Sequence, residues 1–444
     1  MKLSKSFVTS TILSTVAADQ QWPLLTPHGS ADASKDSGKN PVLPYRDLIY
    51  LHGNLTSIPS ITGNEHDAGV FLETYLRDSL NFTVERLYVS SKTFSSNPSA
   101  PMTEDHEATV DGKPDKRRFN ILAYPGSNVK EARTLISSHI DTVPPFIPYA
   151  YRATQDGWGD SFSGRGSVDA KGSVAAQLGA LESLLKDGAI NPDDVAVLYV
   201  VGEETTGDGM RAASAALEEK EYTNWENVIF SEPTEGKLAC GHKGISLVSL
   251  TARGKSAHSG YPWLGVSANT ILIRALAAIE DVALKKGVEE GGLPYSDKYG
   301  WTTVNVGVIS GGVAANVIPA EAHAQITLRL ADGTPADAFD ILNEAATKAT
   351  EELRSKGGSL ELQRSPKQGY APVDINCDVD GFETVTVNYG TDVPNFQVKG
   401  NYRRYLYGPG SILVAHSDHE AGTMKDLVAA VEGMKTLIKH TLSA

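Results

Sequence analysis

Cysteine is almost absent from this chain, with only Cys240 and Cys377 in 444 residues. At most one internal disulfide can form, which excludes a disulfide scaffold and any cysteine-rich zinc or iron–sulfur site. Whether the two pair is not legible. No apolar run reaches the roughly 18 residues that a bilayer span needs. Positive charge is in deficit: 40 Lys+Arg against 54 Asp+Glu leave a net charge of -14. Without a basic stripe, nucleic acid and anionic membrane are excluded as general partners. Internal repeats are missing. So are a phosphate-binding Gly-rich loop and a dinucleotide fingerprint.

What is present suits a folded protein. Apolar residues make up 41% and charged residues 21%, enough to bury a large core. The length suggests two or three domains. Residues 1–18 have the layout of a secretory signal peptide: Lys2 and Lys5, a modest apolar stretch from Phe7 to Val16, then small Ala17 and Ala18. Residues 19–42 read as a polar leader. The sequons at Asn54 and Asn81 fit a glycosylated, secreted, extracellular protein.

From residue 43 the pattern becomes globular. Helical segments flank the turn Ile58–Asn64, and Ser91–Arg118 reads as a polar surface insertion. Thr134–Ser138, Val195–Val201 and Val228–Phe230 are apolar runs of strand length, with a helical stripe at Val174, Leu178, Leu181 and Leu185 between them. Runs apolar on both faces belong in a parallel sheet covered by helices, so the expected class is α/β. After about Gly244 the pattern changes. Ile245–Thr251 reads as a strand, and Ala268 to Ala283 carries a helical stripe. Ala322 to Leu330 alternates with polar residues, as a half-exposed antiparallel strand does. A helix from Pro335 to about Leu353 follows. The boundaries expected are 43–244 with 362–444 for the α/β domain and 245–361 for an inserted α+β domain.

The chemistry-bearing residues follow predicted strands, where open parallel sheets gather functional groups. His139 and Asp141 follow Leu135–Ile136. Asp169 lies in the glycine-rich turn Gly164–Gly172. Glu203 and Glu204 follow Val195–Val201, and Glu232 follows Val228–Phe230. A late histidine, His416, can complete the set. Imidazole with carboxylate is a donor set for zinc and its neighbours. His139, Glu204, Glu232 and His416 can serve as terminal ligands of two metals, with Asp169 bridging. Asp141 can orient the other nitrogen of His139. Glu203 stays unliganded, as a general base for metal-activated water. Each element alone is commonplace; their order at successive strand ends argues against coincidence.

The motifs SSHIDTVPP, GRGSVDAKGS, GEETTG, SEPT, HKG, GKSAHSG, GGVAANVIP and HSDHEAG occur in that order. They resemble those of the co-catalytic zinc exopeptidase family of aminoacylase, acetylornithine deacetylase, succinyl-diaminopimelate desuccinylase and bacterial glutamate carboxypeptidase. The resemblance runs from about residue 43 to the end. It implies a zinc-binding α/β domain with an inserted lid that often dimerises, and two zinc ions per subunit. It assigns the metal ligands, base and orienter to the residues named above. Glu232 is Asp in parts of the family; glutamate looks like the deacetylase and carboxypeptidase branch. His419 rivals His416, but the family's His followed four residues later by Glu favours His416 with Glu420. From the lid, His258 resembles a histidine that reaches the partner subunit's active site, and Asn316 and Arg329 resemble substrate-carboxylate binders. Gly410 allows close approach of substrate to the backbone. His242 is open between a substrate and a packing role. The resemblance implies a secreted carboxypeptidase acting on peptides. A deacylase of N-acyl amino acids is the alternative, and a non-catalytic binding protein on the same scaffold a third reading.

Overall fold

The structure is a computed structural model that describes residues 45–89, 117–154 and 157–443. The expected signal peptide and leader, and nearly all of the polar insertion, lie outside the described residues.

Along the chain, the main elements begin with α1 (Arg46–Ser57), α2 (His66–Thr74), β1 (Thr83–Tyr88), β2 (Phe119–Tyr124) and β3 (Thr134–His139). They continue with α3 (Lys171–Lys186), β4 (Val195–Val200), α4 (Asp208–Glu219), β5 (Asn227–Phe230) and β6 (Leu238–His242). The inserted part comprises β7 (Gly244–Arg253), α5 (Ala268–Ala283), β8 (Thr303–Gly311), β9 (Glu321–Leu330), α6 (Pro335–Ser355) and β10 (Ser359–Tyr370). The chain closes with β11 (Val373–Asp374), β12 (Thr384–Val387), β13 (Arg403–Leu406) and α7 (Met424–Ser443).

The central sheet has the order β1-β2-β4-β3-β5-β13. The four strands from β4 to β13 run parallel, while β1 and β2 add an antiparallel edge. Strand β4 explains the layering. Val195, Val197 and Tyr199 pack with Leu178 and Leu181 of α3 and Met434 of α7, whereas Ala196, Leu198 and Val200 pack with Met210, Ala213 and Leu217 of α4. The period of two sends successive side chains to opposite helical layers, so an unbroken apolar run is what a doubly covered strand requires. Each fully buried Val or Leu there contributes about 1.5–3 kcal/mol. The α/β expectation and the inserted second sheet are both met.

The lid sheet is antiparallel, in the order β8-β9-β7-β10. Ala324, Ile326, Leu328 and Leu330 of β9 pack on Ile271, Leu272 and Ile279 of α5 and Leu342 of α6. Helix α6 starts at a reciprocal cap: Asp337 N–H donates to Thr334 Oγ1 at 3.3 Å, and Thr334 N–H donates to Asp337 Oδ2 at 2.8 Å. The expected return to the first domain at residue 362 falls inside β10, which pairs with β7 as far as Tyr370 opposite Ile245. Apolar alternation stops after Leu362, and the register shifts between Arg364 and Gly369, so periodicity hides the strand's second half.

Cys240 on β6 and Cys377 beyond β11 form a disulfide, with their Cα atoms 5.0 Å apart and a sequence separation of 137. It joins the strand that leaves the first domain to the segment that returns, and so encloses the whole lid. Of the sequons, Asn81 is exposed, in a left-handed turn with φ of 56°. Asn54 lies within α1, donating to the Tyr50 carbonyl at 2.7 Å, and Thr56 of its sequon is buried.

Candidate metal and catalytic site

Asp169 sits between two imidazoles. Its Oδ1 is 3.2 Å from His139 Nε2, and its Oδ2 is 3.3 Å from His416 Nε2. Glu232 Oε2 approaches His139 Nε2 at 3.6 Å, and Glu204 Oε2 approaches His416 Nε2 at 2.8 Å. Two donor groups result, one on each oxygen of a shared carboxylate. The cluster is compact: donor atoms of His139, Glu203 and Glu232, and likewise of His139, Asp169 and Glu204, lie within 4.8 Å of one another. That grouping by distance places Glu203 with Glu232, and Glu204 with His139. The closer contacts pair Glu204 with His416 instead, and these define the two halves better.

The local fold sets each group. His139 ends β3, and its Nδ1 lies 3.0 Å from the Asp141 backbone carbonyl but 3.6 Å from Asp141 Oδ1. A carbonyl only accepts, so Nδ1 carries the hydrogen and Nε2 is turned to the carboxylates. The Asp141 carboxylate does something else. It accepts from Thr62 Oγ1 at 2.7 Å, from Glu203 N–H at 3.1 Å and from Glu204 N–H at 3.2 Å. The residue therefore orients His139 through its backbone and holds the Glu203–Glu204 turn through its side chain.

His416 adopts the left-handed conformation, with φ of 62°. Glu420, four residues on, accepts from Val168 N–H at 3.0 Å and Asp169 N–H at 3.2 Å, and pairs with Arg165 at 2.8 Å. It thereby fastens the His416 loop to the Asp169 turn. His419 points away, 73% exposed and paired with Asp418 at 2.8 Å. Gly410, with φ of 75°, lies beside the same turn: a β-carbon there would stand 2.6 Å from Val168 Cγ1.

The electrostatics fit a cation site. Burial would lower the pKa of His139, yet Glu232, Asp141 and Asp169 hold it well above the ordinary imidazole range. Hydrogen bonds to Asp169 and Glu204 carry His416 to about 10. Burial pushes Glu232 up to about 8 against the pull of His139, and burial with Asp169 pushes Glu204 up to about 7. Burial, then Glu232, drives Glu203 well above the carboxylate range. Protons on the imidazoles thus stand where positive charge is needed. Glu204 Oε1 is buried with no hydrogen-bond partner among the described residues. Imidazole and carboxylate donors with an orphaned buried oxygen are what a metal centre requires.

Of the expected substrate groups, only Arg329 and Gly410 come near this cluster. Arg329 lies on β9 opposite Ile245, at the hinge end of the lid sheet. Its guanidinium is half-buried, and among the described residues no carboxylate forms an ion pair with it. Its Nη1 stands 3.4 Å from where a β-carbon of Gly390 would be. Gly390 leads into Thr391 and Asp392, which line a small cavity with His139, Glu203 and Glu232. Asn316 and His258 are exposed at the opposite end of the lid, past Arg253, and the His258 segment bridges to Val317. Strand β7 is 10 residues long, so at roughly 3.3 Å per residue they lie roughly 30 Å from the hinge. One chain alone does not bring them to the metal groups.

Sequence reasoning missed Asp392. It is buried, with Oδ1 accepting from Asn395 at 2.9 Å and Oδ2 without a partner among the described residues. No motif singles it out. His242 is settled by its contacts: Nδ1–H donates to the Lys243 carbonyl at 2.8 Å, and Nε2 accepts from Thr391 Oγ1 at 3.1 Å. Both nitrogens are engaged by the protein itself, which favours the packing role over the substrate role.

Residues 240–356 match the family model described as peptidase dimerisation domain, of the M20 type. The chain is 46% identical over 411 residues to a peptidase M20 domain-containing protein of Sordaria macrospora, covering 90% of this chain and 86% of that one. It is 43% identical over 454 aligned residues to a probable carboxypeptidase of Aspergillus oryzae, covering 100% of this chain and 99% of the relative. Among solved structures, the fold resembles an M20 family metallo-carboxypeptidase from Sulfolobus solfataricus, with a TM-score of 0.62 and 17% identity over 90% of this chain and 100% of that chain.

Proposed function

The chain belongs to the M20 peptidase family, and from that membership we propose that it is a secreted metallocarboxypeptidase that removes C-terminal residues from peptides. The reading rests on Asp169, whose two carboxylate oxygens each face a different imidazole.

His139 and Glu232 would hold one divalent cation, His416 and Glu204 the other, with Asp169 shared. The charge supports two cations rather than one. Asp169, Glu203, Glu204 and Glu232 are four carboxylates, which two dications neutralise and one does not. Zinc is the metal proposed, from its preference for mixed imidazole and carboxylate ligands. The pair would supply Lewis acidity, polarising the scissile carbonyl and lowering the pKa of water towards about 7.

The chain's own groups do the rest. Arg329, which has no ion-pair partner among the described residues, binds the substrate's terminal carboxylate through its planar fork. Glu203, held by its backbone N–H on Asp141, takes the proton of the attacking water and passes it to the leaving amine. His258 and Asn316 serve the partner subunit: a lid-to-lid homodimer would place them over the other active site, where His258 donates to the developing oxyanion. The named function of the Aspergillus oryzae relative favours a carboxypeptidase over an N-acyl amino acid deacylase. Retention of Glu203 and the full donor set speaks against a non-catalytic scaffold. For localisation, the Cys240–Cys377 disulfide supports an oxidising compartment. Asn81 suits a glycan better than Asn54, because it is exposed.

The test combines a metal count with a substrate panel: a blocked dipeptide with a free carboxylate, the same dipeptide amidated, and N-acetyl amino acids. Two metal ions per subunit and cleavage of the free acid alone are expected. Equal rates on the amide, or faster turnover of the N-acetyl amino acids, would replace this reading. Glu203→Ala should keep its metal and lose at least about 100-fold in kcat.

A further inference from the structure

The last residue of β10 sits in a row with Arg329. Across the lid sheet, Arg329 pairs with Ile245, and Ile245 pairs on its other side with Tyr370. Direct cross-strand partners point to one face. That face is the one without helices, because the adjacent Leu328 and Leu330 point into the α5–α6 core. The Tyr370 ring is fixed edge-on against His242, with centroids 5.7 Å apart and planes at 77°.

The polar tips of Tyr370 and Arg329 converge on Gly390 of the first domain. A β-carbon on Gly390 would lie 2.0 Å from the Tyr370 hydroxyl and 3.4 Å from Arg329 Nη1, so the two tips are at most 5.4 Å apart, the sum of those distances. One carboxylate spans that gap with hydrogen bonds of about 2.8 Å on either side. The Thr391 backbone N–H acts on the phenolic oxygen as a donor, lowering the pKa that burial raises. The phenolic hydrogen is then left to donate elsewhere, and no described residue receives it. Glu203 is near enough to act on Tyr370 electrostatically, as is Arg329. A half-buried guanidinium without a carboxylate and a phenol without an acceptor therefore face one gap beside the candidate base.

We propose that Tyr370 is a substrate-binding residue whose hydroxyl donates to the substrate's terminal carboxylate together with Arg329, in a gap that only glycine at position 390 leaves open. The proposal rests on the carboxypeptidase reading and adds a residue to it. It makes the recognition of a free C-terminus a joint property of β9, β10 and the Gly390 turn. The clamp is then assembled from both domains.

Tyr370→Phe removes the donor and keeps the ring on His242. For a free-acid dipeptide, KM should rise about 10-fold or more, as expected for a lost hydrogen bond to a charged group. The kcat should stay within about two-fold, with metal content and melting temperature unchanged. The amidated dipeptide should stay uncleaved by the variant, as by the wild type. Gly390→Ala, which crowds the hydroxyl out of the gap, should reproduce the KM defect. Arg329→Gln separates the two levels of argument. If Arg329→Gln raises KM for the free acid and Tyr370→Phe leaves it unchanged, the Tyr370 assignment is overturned and the carboxypeptidase reading stands. If wild type itself does not distinguish acid from amide, the carboxypeptidase reading fails first.

Discussion

A pair of inactive variants should restore each other. The exposed His258 lies past the far end of β7, a 10-residue strand that starts at the hinge, so roughly 30 Å separates it from the hinge of its own chain, beyond which Glu203 lies. No side-chain rotation closes that gap. If His258 acts at all, it acts on a second copy. Glu203→Ala abolishes the base in its own site, and His258→Ala abolishes the donor that its lid lends to the other site. Each homodimer is then dead at both sites. In a mixed dimer, the site with an intact Glu203 receives an intact His258 from the partner subunit, while the other site lacks both. Random pairing makes half the dimers mixed, each with one of two sites working, so co-expression should recover about a quarter of wild-type kcat in a C2 dimer. Turnover of co-expressed and separately purified variants, with dimerisation checked by sedimentation, measures this. Full activity of His258→Ala alone, or no recovery from mixed dimers that do form, would refute the partner-subunit role.

Three other outcomes follow from the contacts. Asp141→Ala strips the acceptor from the Glu203 and Glu204 amides; at about 1–3 kcal/mol per buried orphaned donor, it should cost about 3 kcal/mol in urea unfolding and lower metal content as well as kcat. A variant with full metal and turnover would leave Asp141 no holding role. His52 and His242 are buried, and burial lowers both to about 4. Their folded pKa lies below the unfolded value near 6.5, so they contribute stability above pH 6.5 that is lost as pH falls towards 4. Chelated protein should therefore lose about 2 kcal/mol per histidine between pH 7.5 and 5, and a His242→Gln variant should show a shallower fall; equal slopes would count against this. Replacing Cys240 and Cys377 by Ser opens a closure spanning 137 residues in sequence and should cost about 5 kcal/mol on the chain-entropy account, read as a lower urea midpoint. An unchanged midpoint would show that the hinge needs no covalent tie.

How far a strand was legible depended on how its two faces are covered. β4 and β9 stand out because one is buried on both faces and the other on one, and each condition writes a distinct period into the residues. β1 and β2 form the antiparallel edge beside the polar stretch and carry no comparable run, so pairing, of β1 with β2 and of β2 with β4, reveals them. The far half of β10 was hidden for a different reason. Its segment Arg364–Tyr370 contains Ser, Pro, Lys and Gln, and its strand state is imposed by β7 across a register shift.

The same distinction governs the site. His139, Asp169, Glu204 and Glu232 each follow a strand or open a helix within a short motif, so local sequence places them at one sheet edge. The tautomer of His139 is not local in that sense: whether Nδ1 meets a carbonyl or a carboxylate is decided within 0.6 Å, by distances of 3.0 and 3.6 Å. Tyr370 and Gly390 are further removed from sequence reasoning. Each is unremarkable alone, a tyrosine after a glycine and a glycine in a turn, and they matter only because β9, β7 and β10 pair in one register. A slip of one residue in β10 would turn Tyr370 to the helical face. The candidate metal centre is thus written in motifs, whereas the proposed carboxylate clamp is written in strand register.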